Sequence, residues 1–83
     1  MKLFYFAWVR QKIGKSEETL ALPAGVFTVR DLARHLRTRG PGYAEAFADP
    51  ALLRASANLK HVCFDTSLSD GDEIAFFTPV TGG

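Results

Sequence analysis

Residues 70–79 have the sequence DGDEIAFFTP, and this stretch most clearly indicates the fold of the chain. The pair Asp70-Gly71 predicts a turn, because both residue types tolerate the backbone angles that turns require. The next residues, Glu73 to Thr78, are rich in strand formers and predict a strand, which Pro79 ends. The stretch therefore predicts a turn followed by the last strand of a sheet.

The N-terminal segment from Lys2 to Arg10 predicts a first strand with two apolar faces. Side chains alternate along a strand, so its even-numbered face would present Phe4, Phe6 and Trp8. In the last strand, Phe77 lies on a second face that is also apolar, and we expect Phe6 and Phe77 to be solvent-exposed in the isolated chain and to form an apolar patch. A strand in a half-exposed sheet has one polar face. The first strand is therefore either buried on both sides or meets a partner with its second face.

Three shorter segments predict the remaining strands. A turn at residues 14–16 leads into Thr19 to Leu22, which would pair with the first strand as a hairpin. Leu53 to Ala57 is a weaker strand, and Lys60 to Phe64 is a stronger one that follows a turn at Asn58. The sheet would therefore contain five strands.

One main helix is predicted between the second and third strands. Thr28 is suited to cap its N-terminus, and Asp31 completes a shortened capping box. An apolar stripe at helical spacing runs from Val29 to Leu36, and Gly40-Pro41 would end the helix, with glycine as a left-handed cap. A short helical turn is expected over Tyr43 to Phe47.

These elements predict an α+β fold of the β-grasp, or ubiquitin-like, type. In this roll, one mixed β-sheet carries the main helix on one face. The chain has 83 residues, which is too short for a second core. We expect residues 1–79 to form the β-grasp domain and residues 80–83 to form a flexible, extended C-terminal tail.

Composition excludes several classes of protein and site. Ten Lys and Arg against nine Asp and Glu give a net charge of +1, so bulk charge does not favour nucleic-acid binding. The single cysteine, Cys63, rules out a disulfide framework and a cysteine-ligated metal site, and it suits a reducing compartment. No apolar run approaches the ~20 residues of a membrane span. We therefore expect a cytoplasmic protein that binds neither nucleic acid nor membrane.

No catalytic or cofactor-binding motif stands out in the sequence. His61 and Cys63 could touch on one strand face, but they lack a third orienting group, so we interpret them as a surface and a partly buried residue. The acids at residues 70–73 lack the surrounding loop of a calcium site. An arginine stripe within residues 30–37 is interpreted as a solvated helix face. The sequence therefore predicts no bound cofactor and no metal.

The C-terminal residues Thr81-Gly82-Gly83 follow a strand that proline stops. Glycine has no Cβ, so two glycines let the backbone enter a slot that is too narrow for other residues. From Pro79 an extended tail reaches at most ~15 Å, which is far enough to enter the active site of a neighbouring protein. The terminal carboxylate has a pKa of ~3.5, so it is an unreactive anion unless ATP converts it to an acyl-adenylate. The alternative is a frayed end without function.

Both ends of the chain resemble the family of small subunits of molybdopterin synthase, which carry sulfur in molybdenum-cofactor biosynthesis. Residues 2–10, KLFYFAWVR, resemble the start of that family. The C-terminal match is more specific, with Asn58, Phe64-Asp65 and Leu68 followed by residues 70–83, DGDEIAFFTPVTGG. A thiamine-pathway sulfur carrier shares the fold and the Gly-Gly end, but this longer ending is not typical of it.

The resemblance implies a cycle of chemistry at Gly83. An adenylating partner of the E1 type would activate the terminal glycine with ATP, and a sulfur donor would convert it to a thiocarboxylate. The tail, including Thr81 and Gly82, would then enter the large synthase subunit, where sulfur passes to cyclic pyranopterin monophosphate and forms the molybdopterin dithiolene. The family's catalytic side chains lie on the large subunit. The chain alone would therefore not be an enzyme, and a heterotetramer with that subunit is expected.

The family also implies a partner-binding surface on the sheet. By match, its hydrophobic positions fall at Phe6, His61 and Phe77, and His61 departs from the apolar residue that the family shows. Thr78 stands where the family often has a second proline. Three alternatives stay open: another ubiquitin-like sulfur carrier of the thiamine-pathway type, a ubiquitin-like protein modifier, and a non-covalent β-grasp interaction module whose Gly-Gly end is incidental.

Overall fold

The computed structural model describes residues 1–79. The predicted tail residues Thr81, Gly82 and Gly83 lie outside the described residues. Within residues 1–79 the chain forms five strands, three α-helices and one 3₁₀ helix. In chain order these are β1 (Lys2–Tyr5), α1 (Ala7–Ile13), β2 (Glu17–Thr19), α2 (Val29–Arg37), α3 (Pro41–Ala46), the 3₁₀ helix (Pro50–Leu52), β3 (Arg54–Ala57), β4 (Lys60–Val62) and β5 (Glu73–Phe77).

The five strands form one mixed sheet in the order β2-β1-β5-β3-β4. The first and last strands, β1 and β5, lie side by side and run parallel, with Leu3 opposite Ile74. The other neighbouring strands are antiparallel. Together with α2 packed against one face, this topology confirms the predicted β-grasp fold.

The core lies between the sheet and α2. Leu3 of β1 and both Ile74 and Phe76 of β5 are fully buried on the inner face of the sheet. The buried residues of α2 pack in the same core: Val29, Leu32, Ala33 and Leu36. Phe47, which follows α3, meets Phe76 edge-on at a ring-centroid distance of 5.0 Å. Burial of one such side chain contributes ~1.5–3 kcal/mol, so this layer accounts for a large part of the stability.

Thr28 caps α2 as the sequence predicts. Its Oγ1 accepts a hydrogen bond from the Asp31 N–H at 3.2 Å, and Asp31 Oδ2 accepts one from the Thr28 N–H at 3.2 Å. Hydrogen bonds from the backbone N–H groups of Phe27 and Thr28 hold the pKa of Asp31 below its usual value. This reciprocal pair satisfies donors that the first helical turn leaves free and fixes the start of α2.

The predicted first strand is wrong in its second half. Phe6 is still extended, but Ala7, at φ 51°, turns the chain out of the sheet and into α1. Val9 is fully buried and Ile13, four residues later, packs against the core. This segment therefore buries a helical stripe instead of a strand face. Gly14, at φ 86°, ends α1 in the left-handed conformation.

Two connections also differ from the prediction. β2 begins at Glu17 instead of Thr19, and α1 replaces the tight hairpin turn expected between the first two strands. The Gly40-Pro41 pair begins α3 instead of capping α2, which ends at Arg37. Proline is favoured at the first position of a helix, where its missing N–H would have no partner, so this pair is a start signal. The remaining predicted elements are confirmed within two residues at each end.

Candidate docking face of the sheet

The candidate site lies on the sheet face opposite the core. Strand register aligns a row of side chains across this face, in which Phe4 lies beside Ala75, Ala75 beside Ser56, and Ser56 beside His61. Phe4 and Ala75 alternate with buried neighbours and so point away from the core, and the register places Ser56 and His61 on the same face. We call this surface the open face and define it by six residues: Phe4, Phe6, Ser56, His61, Ala75 and Phe77.

The structure brings the three partner residues predicted from the sequence onto the open face. Phe6 follows β1 and donates its N–H to the carbonyl oxygen of Phe76 at 3.1 Å, and its side chain is 49% exposed. His61 is exposed, and its ring lies edge-on to that of Phe77 at a centroid distance of 5.4 Å. That these residues bind a partner remains a prediction.

Two expectations about this surface are wrong. Strand alternation predicts a solvent-exposed Phe77, but Phe77 is partly buried, because the ring of His61 packs on it. Alternation also places Trp8 beside Phe6 on the sheet. Trp8 instead lies on α1, where its ring is 5.7 Å from Lys12 Nζ.

A cavity of about 210 Å³ on the open face involves residues that the sequence did not single out. Its lining consists of Phe4, Phe6, Ser56, Leu59, Glu73 and Ala75. Leu59 lies in the turn between β3 and β4 and is 95% exposed. The sequence does contain one signal for this part of the surface. Leu59 follows Asn58 in a two-residue turn, at a position where glycine is the preferred residue.

Charged side chains border the open face on its β2 side and at the start of β5. Lys2 Nζ lies 5.4 Å from the ring centroid of Phe4 and 3.6 Å from a carboxylate oxygen of Glu17. Glu73, on β5, lies opposite Lys2 in the strand register and is exposed. An apolar centre with a charged rim is the usual anatomy of a protein-binding surface.

The partly buried carboxylate of Glu18, on the inner side of the sheet, supports the sheet edge behind this surface. Glu18 Oε2 accepts hydrogen bonds from the hydroxyls of Tyr5 and Tyr43, both at 2.7 Å, and Oε1 accepts one from Arg39 Nη1 at 2.9 Å. Burial raises the pKa of Glu18, but the bonds from Tyr43 and Tyr5 and the Arg39 charge outweigh it and hold the pKa below its usual value. Burial and the Glu18 carboxylate raise the pKa of Tyr5, which keeps it a hydrogen-bond donor.

The described residues hold no other arrangement that indicates chemistry. Among residues 1–79, no three His, Cys, Asp or Glu side chains are grouped so that they could hold a metal ion. The interpretation of Cys63 as partly buried is wrong, because β4 ends at Val62 and Cys63 is exposed after it, with its Sγ 3.6 Å from Thr66 Oγ1. In the same part of the chain, no helix is long and apolar enough to cross a membrane.

The sheet order, the crossing helix and the open apolar face define a ubiquitin-like protein of the β-grasp class. A model of the ThiS family matches residues 3–83, and the chain belongs to that family. Two bacterial proteins named molybdopterin synthase sulfur carrier subunit are similar over the whole chain and 99% of their own length. The Escherichia coli protein is 42% identical, and the Haemophilus influenzae protein is 34% identical.

A solved structure extends this likeness to three dimensions. A protein from Pyrococcus furiosus described as molybdopterin converting factor, subunit 1, superposes with a TM-score of 0.74 at 34% identity. The match covers 95% of each chain. The similarity therefore includes nearly the whole domain and not a shared motif alone.

Proposed function

We propose that this protein is the sulfur carrier subunit of molybdopterin synthase. The observation that carries the proposal is the full-length similarity, at 42% identity, to a protein of that name. The match includes the C-terminal residues on which the chemistry would take place. The β-grasp fold with an open apolar face supports it, because the tail follows β5 and a protein that receives the tail therefore comes close to this surface.

The reaction is carried by the carboxylate of Gly83. This carboxylate attacks ATP on the activating partner, pyrophosphate leaves, and an acyl-adenylate forms. Hydrosulfide supplied by the sulfur donor then attacks the acyl carbon, AMP leaves, and the product is a thiocarboxylate. Each thiocarboxylate gives one sulfur atom to cyclic pyranopterin monophosphate, and water then attacks the acyl carbon and regenerates the terminal carboxylate. Two such transfers supply the two sulfur atoms of the dithiolene. The chain holds no cofactor of its own in this cycle, and the catalytic side chains belong to the large subunit.

Three partners follow from this cycle. They are an E1-like adenylating enzyme, a sulfur donor, and the large synthase subunit, with which the chain forms a heterotetramer in the cytoplasm. Phe6, His61 and Phe77 contact these partners, and Thr81 and Gly82 thread the terminus into their active sites. The absence of side chains at Gly82 and Gly83 allows this threading.

C-terminal variants test the proposal in a reconstituted synthase reaction. Deleting Gly83, adding residues after it, or making Gly82→Val should abolish or strongly reduce molybdopterin formation without changing the melting temperature. A valine restricts the backbone and fills the slot. Gly71→Ala is the control, because a Cβ at Gly71 meets no atom within 4 Å. Synthesis supported by an unprocessed, extended chain would refute the carrier function.

A further inference from the structure

Leu59 adopts a backbone conformation that is unusual for a leucine. It follows Asn58 in the two-residue turn that joins the paired residues Ala57 and Lys60. Asn58 has φ 51° and Leu59 has φ 71°. Both central positions of such a turn need positive φ, and Asn-Gly is the preferred pair because a Cβ is strained there. The chain therefore carries a strained leucine where glycine would fit better.

Nothing in the fold of the described residues requires this side chain. Leu59 is 95% exposed, so its burial adds nothing to the core. The hairpin is held through Asn58 instead, whose N–H donates to the Glu73 carbonyl at 2.8 Å and whose Oδ1 accepts from the Glu73 N–H at 3.0 Å. Asn58 Nδ2 also donates to Asp72 Oδ1 at 3.1 Å. A leucine on a firmly held turn is presented rigidly to solvent.

The leucine borders the cavity of the open face. The lining joins Leu59 and Glu73, at the start of β5, with Phe6, which lies level with the end of β5. Five residues of strand separate these ends by ~13 Å. The cavity volume of about 210 Å³ is below the ~300–1,000 Å³ of sites that hold small molecules. Its size and its apolar walls suit one or two side chains of a protein.

We propose that Leu59 and this cavity form an anchor point for the large synthase subunit, in addition to the partner residues predicted from the sequence. That subunit inserts an apolar side chain into the cavity. The inference rests on the proposed function. Residues with a strained backbone cluster at functional sites, where the function preserves them although the fold does not require them. Leu59 lies at the end of β5 away from the tail, and the cavity extends from there to Phe6, so contact with both enlarges the buried surface. A lasting subunit contact needs a larger buried area than the transient encounter with an adenylating enzyme.

Binding of the purified chain to its large subunit, measured by titration calorimetry, tests the anchor. Leu59→Gly and Leu59→Asn both suit the turn, so both variants should melt at or above the wild-type temperature. Each should weaken binding about tenfold or more, since apolar anchors in cavities dominate interfaces. Leu52→Asn is the matched control, because Leu52 is 58% exposed on the 3₁₀ helix outside the cavity lining. It should change the affinity less than about twofold.

Three results would overturn the anchor while leaving the carrier function intact. These are unchanged affinity of both Leu59 variants, an equal loss in Leu52→Asn, and an equal loss of adenylation by the activating enzyme. A wild-type chain that forms a dimer through Leu59, seen by ultracentrifugation, would also overturn it. Failure of the wild-type chain to bind the large subunit would overturn the proposed function and this inference together.

Discussion

Glu18 shows how one side chain fixes an edge of the sheet. Its carboxylate accepts hydrogen bonds from Tyr5, Tyr43 and Arg39, and its side chain is only 10% exposed. Hydrogen bonds to a charged group contribute ~1.5–3 kcal/mol, more than bonds between neutral groups. Because Tyr43 belongs to α3 and Tyr5 to β1, Glu18 joins β2 to both elements.

We expect Glu18→Gln to lower the free energy of unfolding by about 1–3 kcal/mol, because a neutral amide cannot replace the charged acceptor of three donors. Urea denaturation at pH 7 measures this loss. Glu17→Gln is the matched control, since the Glu17 side chain is 52% exposed and pairs with Lys2 across solvent. Glu17→Gln should lower the free energy of unfolding by less than ~1 kcal/mol. Equal losses in the two variants would contradict the structural role of Glu18.

The lowered pKa of Glu18 also predicts how stability depends on pH. The pKa in the unfolded chain is ~4.3, and the folded-state pKa is lower. The contribution of Glu18 is therefore complete above about pH 4.3 and is lost as pH falls through the folded-state pKa. Between pH 7 and 2, the unfolding free energy of Glu18→Gln should fall less than that of the wild type. If the unfolding free energies of the variant and the wild type fall by the same amount, other carboxylates cause the acid sensitivity.

At the scale of elements, α1 and α3 are in close contact at Gly42. A Cβ built on Gly42 would lie 2.2 Å from the carbonyl oxygen of Lys12, which is shorter than any normal contact. Gly42→Ala should therefore destabilise the protein by about 1–3 kcal/mol, although alanine in an open helix gains ~1 kcal/mol over glycine. Thermal melts should show a loss of ~4–8 °C per kcal/mol. A melting temperature at or above that of the wild type would show that α1 and α3 can move apart and accommodate the methyl group without loss of stability.

The contrast between α1 and α2 shows what sequence can predict at this scale. The start of α2 is encoded locally by Thr28 and Asp31, so the sequence indicates it directly. The seven residues of α1 are too few to form a helix by themselves, and their aromatic neighbours favour a strand. Packing of Val9 and Ile13 in the core decides their conformation, and no local pattern records it.

For the whole molecule, the sequence predicts that a second apolar face exists but not its shape. Alternation along β1 and β5 indicates that Phe6 and Phe77 lie opposite the core. The cavity beside Phe6 depends on the parallel register of β1 with β5 and on the hairpin at Leu59. Those contacts join residues far apart in the chain, so a reading of local patterns does not yield them.

Phe6→Ala tests the open face as a docking surface. Phe6 is 49% exposed, so its truncation should change the melting temperature little. Removal of an aromatic anchor should weaken binding to the large subunit by about one to two decades. Phe27→Ala is the matched control, because Phe27 is 69% exposed and lies before α2, outside the open face. An equal loss of affinity in both variants would contradict a defined docking surface.

The mass of the protein purified from its native host tests the central claim most directly. If Gly83 carries sulfur, a fraction of the intact chain should be heavier by the difference between one sulfur and one oxygen atom. Fragmentation should place this difference on the C-terminal glycine, and deletion of the adenylating enzyme should remove it. A chain found only as a carboxylate, or joined through Gly83 to lysines of other proteins, would contradict the sulfur-carrier account.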